Sequence, residues 1–136
     1  RDDVIGTLTP GSEGSTFGGY PLASVVAVYA IKVLVEQKLA KNARIRGSQL
    51  LQHFDDLKSE FPDKIKEIRG KGLLTAFEMH NEKKLDGHIV SMELMNKGVY
   101  AKETHHSTVR IAPALTIESW QIDDLAEAIR DVVKNL

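Results

Sequence analysis

The residues with the clearest chemical potential lie near the start of the chain. The run Pro10-Gly11-Ser12-Glu13-Gly14-Ser15-Thr16-Phe17-Gly18-Gly19-Tyr20-Pro21 puts four Gly and two Pro into twelve positions. That density forbids a regular element and predicts a loop over 10–21, with Pro21 suited to the first turn of a following helix. A glycine-rich loop opening onto a helix N-terminus offers free backbone N–H groups and a positive dipole end, which suits phosphate. Ser15 and Thr16 add hydroxyl donors. No Gly-Lys-Ser/Thr follows and no Gly-x-Gly-x-x-Gly occurs, so this is neither a Walker loop nor a dinucleotide fingerprint. On chemistry alone, a phosphate loop and a plain surface turn both stay open.

Arg110 is the second candidate. It interrupts an apolar stretch, Val109-Arg110-Ile111-Ala112-Pro113. Such an arginine is either an edge residue facing water or a clamp whose guanidinium fork matches a carboxylate. His105-His106 has the composition of a metal pair but not the spacing. Neighbours on an extended chain face opposite ways, and no third ligand follows at helical spacing, so a polar loop is the expectation. His53 and His88 fall on predicted helices and His80 at a strand end, none with a partner nearby in sequence, and no Ser-His-Asp set can be assigned. Glu82-Lys83-Lys84 and Asp55-Asp56 read as solvated faces, and Met92 and Met95 as core. The chain has no cysteine, which removes thiol nucleophiles, disulfides and Cys-zinc sites, and no metal is expected.

The elements that must position these residues follow from periodicity. A helix over 21–37 is apolar nearly all round (Leu22, Val25, Val26, Val28, Tyr29, Ile31, Val33, Leu34, Val35), which predicts burial on several sides, more than a lone 136-residue domain can cover, and so a partner surface for it. A second helix over 38–60 carries one stripe, Leu39, Ala43, Gly47, Leu50, Phe54, Leu57 and Phe61, and Pro62 stops it. Residues 65–68 read as a strand, 69–72 as a turn or bulge, and 73–79 as a strand. A helix over 87–97 (Ile89, Met92, Leu94, Met95) closes at Gly98. Short strands at 99–102 and 108–112 flank a polar loop, 103–107. A last helix over 117–135 takes Thr116 as N-cap and Glu118 in its first turn. The order predicts an α+β layer: a small, mostly antiparallel sheet with helices on one face.

Size and charge agree with that reading. The chain has 136 residues, enough for one ordinary core. With 18 Lys+Arg against 19 Asp+Glu, the net charge of −1 gives no field for nucleic acid or an anionic membrane, and neither partner is expected. The start, Arg1-Asp2-Asp3, does not resemble a signal peptide, and the apolar run 22–31 is too short to span a bilayer.

Three segments, in order, carry a family resemblance. The 10–21 loop resembles the Gly-Ser-Thr-aromatic-Gly-Gly-Asn-Pro loop of the class III aminotransferases, which use pyridoxal phosphate. Arg69-Gly70-Lys71-Gly72-Leu73-Leu74 resembles their Arg-Gly-x-Gly-Leu segment. Gly98-Val99-Tyr100-Ala101-Lys102-Glu103-Thr104-His105, with Val109-Arg110-Ile111-Ala112-Pro113-Ala114-Leu115, is similar to the branch that acts on ornithine. Two positions depart: Glu13 stands where the family usually has His, and Tyr20 where it has Asn.

The resemblance implies the C-terminal small domain of a fold-type I enzyme, preceded by a long interdomain helix. Its parts would be the end of the large-domain segment with the cofactor-phosphate loop (1–20), a connecting helix (21–37) and the small domain (38–136). It implies transfer of the δ-amino group of L-ornithine to 2-oxoglutarate in a homodimer, cytoplasmic or, in a eukaryote, in the mitochondrial matrix. Ser15 and Thr16 would bind the cofactor phosphate and Arg110 a substrate carboxylate. No catalytic residue falls in this chain, since the Schiff-base lysine and the aspartate under the pyridine nitrogen would lie upstream; the 136 residues alone are expected to be inactive. The alternatives are another ω-aminotransferase of the family, acting on acetylornithine, 4-aminobutyrate or lysine, or a stand-alone dimerisation domain without catalysis.

Overall fold

The stripe read along the second helix is the spine of the fold. In α3 (Leu39–Glu60) the residues Leu39, Gly47, Leu50, Phe54 and Leu57 are buried, and Ala43 and Phe61 are half-buried. The computed structural model describes residues 1–9, 11–80 and 86–136. Pro10 and the Glu82-Lys83-Lys84 charge run lie outside the described residues. The chain forms two units, Arg1–Gln37 and Lys38–Leu136.

The first unit holds a short helix, α1 (Asp2–Ile5), the glycine-rich loop, and α2 (Pro21–Glu36), with Pro21 in its first turn. Among the described residues of this chain nothing covers α2: none of its residues is buried, and Leu22 and Val35 are 63% and 70% exposed, as expected of a helix with more apolar faces than one small domain can cover.

The second unit is α3, β1 (Ile65–Lys71), β2 (Leu74–Met79), α4 (Gly87–Asn96), β3 (Lys102–Thr104), β4 (Thr108–Ile111) and α5 (Ser119–Asn135). Every strand pairs antiparallel with its neighbours, in the order β1-β2-β4-β3. The helices α3, α4 and α5 pack with one face of that sheet around a single cluster. At its centre the Phe54 and Phe77 rings meet edge to face, 5.5 Å apart at 74°. Val90, Leu94, Val109, Ile111, Ile122, Ile129 and Val133 close it. Buried Thr75 donates its hydroxyl to the Ile111 carbonyl at 2.9 Å, so the core keeps no unpaired group there.

Several boundaries differ from the expected ones. Residues 69–71 are strand, so β1 runs three residues longer and the tight turn falls at Gly72-Leu73, where Gly72 has φ +58. The irregularity lies earlier, between Ile65 and Glu67, where the register with β2 shifts. That extra residue flips the side-chain parity. Ile65 and Ile68 both reach the core, and Glu67, Arg69 and Lys71 fall on the opposite face. β3 starts at Lys102 instead of residue 99, because 99–101 is irregular chain after α4. The α4 helix caps at Lys97, with Gly98 just beyond at φ +80. Met92 and Met95 are not core: α4 buries Val90 and Leu94 and turns Ile89, Met92 and Met95 outward. Thr116 is not a cap: Glu118 is, in a reciprocal capping box with Gln121.

Candidate functional site

The sheet face away from the helices is open, and the register places its side chains in rows. Arg69 on β1 lies opposite Ala76 on β2, Ala76 opposite Arg110 on β4, and Arg110 opposite Lys102 on β3. The adjoining row runs Glu67, Glu78, Thr108, Thr104. A cationic row therefore abuts an acidic and hydroxyl row. Around them lies an open depression of about 500 Å³, whose lining includes Arg69, Ala76, Thr104, His105, Thr108 and Arg110.

The two arginines differ in how they are engaged. Arg69 Nη1 lies 3.0 Å from Glu78 Oε2 and 3.5 Å from Glu67 Oε2, and Arg69 Nη2 donates to Thr108 Oγ1 at 3.2 Å. Lys66 Nζ donates to the other Glu78 oxygen at 2.7 Å. Hydrogen bonds from Lys66, then Arg69, hold the Glu78 carboxyl below the usual glutamate range. Glu78 in turn raises the already high pKa of Arg69. Arg110 is exposed, and its guanidinium has no hydrogen-bond or ion-pair partner among the described residues. It is not an edge residue, because β4 lies between β2 and β3. Ala76 beside it is small, so nothing long covers that side of the fork.

The glycine-rich loop belongs to the first unit. Gly11 and Gly19 take φ +86 and +77, conformations that L side chains rarely adopt. The Gly18 N–H donates to the Ser15 carbonyl at 3.3 Å and the Tyr20 N–H to the Phe17 carbonyl at 3.1 Å. A Cβ on Gly18 would press the Ser15 hydroxyl at 3.1 Å, so glycine there leaves that hydroxyl room. The hydroxyls of Ser15 and Thr16 are exposed and without a partner among the described residues. Two hydroxyl donors on a glycine-rich turn just ahead of a helix start fit a phosphate.

Two histidines, His53 and His88, have partners that sequence distance conceals. His53 Nε2 lies 2.8 Å from Asp123 Oδ1, and His53, then Gln49, hold that carboxyl below its usual value. His88 Nδ1 lies 2.9 Å from Glu103 Oε2. Among the described residues no group of three metal-ligating side chains assembles. No described helix is long and apolar enough to cross a membrane. Residue types singled out Arg110, but not its neighbours. The Arg69–Glu78–Lys66 network needs the β1–β2 register, and the one signal for it was the Arg69-Gly70-Lys71-Gly72 motif.

The sheet, the helices on one face and the preceding long helix are the fold of the C-terminal domain of pyridoxal-phosphate aminotransferases. The Aminotransferase class-III family model matches residues 1–133, and the chain belongs to that family. The mitochondrial ornithine aminotransferase of Arabidopsis thaliana is 40% identical over 134 residues, covering 97% of this chain and 28% of that protein. A solved Plasmodium falciparum ornithine delta-aminotransferase superposes with TM-score 0.85 at 39% identity, over 99% of this chain and 34% of that one. An acetylornithine aminotransferase from Elizabethkingia anophelis superposes with TM-score 0.84 at 30% identity, over 100% of this chain and 34% of that one. The chain thus spans about a third of the length of the relatives it matches.

Proposed function

We propose that the chain is the C-terminal part of an enzyme that transfers the δ-amino group of L-ornithine to 2-oxoglutarate, giving glutamate 5-semialdehyde and glutamate. The observation that carries this is the free guanidinium of Arg110 on the open sheet face, in a chain about 40% identical to ornithine aminotransferases. Residues 1–20 close the large-domain segment, 21–37 connect, and 38–136 form the small domain. When bound, pyridoxal phosphate supplies the electron sink that lets the amine-bearing carbon lose a proton. Thr16 and Ser15 donate hydroxyl hydrogens to its phosphate, across the interface of a homodimer. Arg110 donates from its fork to a substrate carboxylate, while Arg69, tied to Glu78, stays out of competition. The cofactor-bearing lysine belongs to the rest of the enzyme, so this chain binds and orients without doing covalent chemistry. The enzyme works in the cytoplasm, or in the mitochondrial matrix of a eukaryote.

In the full-length enzyme, Arg110→Lys keeps the charge but loses the bidentate fork. The expected result is a rise in KM for 2-oxoglutarate of about ten- to a hundredfold, as for one lost charged hydrogen bond. The ornithine half-reaction, followed as single-turnover bleaching of the cofactor absorbance, should change much less. Equal damage to both halves would mean that Arg110 serves the fold or the cofactor. The likeness to an acetylornithine aminotransferase favours a second reading, with N-acetylornithine as donor. Comparing kcat/KM for the two amines separates them.

A further inference from the structure

His105 and His106 form a turn that the proposed carboxylate seat does not need for its own sake. The β3–β4 hairpin closes through 105–107, with Thr104 opposite Thr108 at its base. His105 and His106 both take left-handed backbone conformations, φ 53 and 64. Histidine is among the residues that tolerate this region, but glycine is the unstrained choice at both places. Such strain persists only where surrounding contacts over-determine it. Here they do. The Ser107 N–H donates to the His105 carbonyl at 2.7 Å, the Gly87 N–H to the His106 carbonyl at 2.7 Å, and the Met79 N–H to the Ser107 carbonyl at 2.8 Å. Every one of these bonds uses backbone atoms, and glycine at 105 could make the same one. The imidazole of His105 takes no part: it is exposed and without a hydrogen-bond or ion-pair partner among the described residues. Yet His105 lines the same depression as Arg110, Arg69, Thr104 and Thr108.

We propose that His105 is a specificity-determining residue of this seat, its imidazole N–H donating a hydrogen bond to the carboxylate end of the 2-oxo acid held on Arg110. The inference rests on the function proposed above. The acid it serves is anionic and carries its carboxylate into a depression where Arg69, Lys71 and Arg110 are the cations. Of the two acids of the adjoining row, Glu78 is occupied by Lys66 and Arg69 and Glu67 lies 3.5 Å from Arg69, so neither stands in the depression as an uncompensated carboxylate.

The test exploits the strain. In the full-length holoenzyme, His105→Gly removes the imidazole and relaxes the left-handed position at once. The melting temperature should hold or rise, while KM for 2-oxoglutarate rises about fivefold or more, as for one lost hydrogen bond. The ornithine half-reaction should stay unchanged. His105→Asn, which keeps an N–H donor and tolerates the same backbone, should recover part of the loss. An unchanged KM in His105→Gly, a fall in melting temperature, or equal loss in the Asn and Gly variants would overturn the proposal. Arg110→Lys runs alongside. If it leaves KM for 2-oxoglutarate unchanged, the seat itself is wrong and His105 falls with it. If it raises KM while His105→Gly does not, only His105 is wrong.

Discussion

In the proposed function Thr16 and Arg110 would meet anions by different chemistries. The first would offer a neutral hydroxyl to a phosphate dianion, the second a cationic fork to a carboxylate. A hydroxyl donating to phosphate contributes about 1.5–3 kcal/mol. Thr16→Ala in the full-length enzyme should therefore weaken pyridoxal phosphate affinity about ten- to a hundredfold, at roughly 1.4 kcal/mol per decade. The melting temperature of the apoenzyme should stay put, since the residue is exposed in a loop and bonds nothing among the described residues. Unchanged affinity would make the turn merely structural. At this scale the sequence was informative about which residues could act and silent about which were already engaged. Arg110 drew notice because an arginine in an apolar run is costly unless it faces water or an anion. That Arg69 is committed and Arg110 is free depends on Glu78 lying across the strand pair from Glu67 and beside Thr108, and pairing across strands is not written in either strand alone.

The helices were legible because a stripe of buried residues repeats at the helical period over five or six turns. The four strands and their antiparallel sheet were legible as well, but not the strand boundaries or which residues of β1 share a face, because one added residue reverses the parity of that strand. Without the bulge at 65–67, Ile65 and Ile68 would face opposite sides, and the pattern reads as a short strand that ends before Arg69. Met92 and Met95 misled for another reason: hydrophobicity marks a residue as able to be buried, not as buried. Two consequences at this scale can be measured. Gly47 lies where α3 meets the β1–β2 turn, and a Cβ there would overlap the Gly72 carbonyl. Helix propensity alone favours Gly47→Ala by about 1 kcal/mol, but forced overpacking costs about 1–3 kcal/mol or more. Because the obstacle is backbone, the melting temperature should fall; a rise would mean that the contact is loose. Glu78 sets an acid limit on the sheet. Its folded pKa lies below the ordinary value, so its stabilisation is complete above that value and disappears as pH falls through the folded one. Glu78→Gln should lower the urea midpoint at neutral pH, and the gap should close on acidification below about pH 4. A gap independent of pH would mean that Glu78 acts through shape and not through charge.

Across the whole molecule the two units differ in kind. Residues 38–136 enclose a core from four strands and three helices, with Phe77, Met79, Val90, Leu94, Val109 and Val133 fully shielded. The described residues of 1–37 enclose none, and α2 presents valine, leucine, isoleucine and tyrosine side chains to solvent along its length. Contiguous apolar surface on that scale marks an interface. The polar faces that a free amphipathic helix needs are missing here: Lys32 is the one charged residue between Pro21 and Val35. The 136-residue chain by itself should therefore associate through α2, or bind a dye that fluoresces on exposed apolar surface, while 38–136 keeps a cooperative melt. Exchanging Val25, Val28 and Tyr29 for glutamate, three exposed apolar positions on the same stretch of α2, should suppress both effects without moving that melt. Added pyridoxal phosphate, ornithine and 2-oxoglutarate should give no semialdehyde above the free-cofactor background, since the proposed function assigns the cofactor-bearing lysine to the rest of the enzyme. A monodisperse, dye-silent monomer would mean that α2 finds cover within the chain in solution, and turnover above background would mean that one of the lysines present does the covalent step.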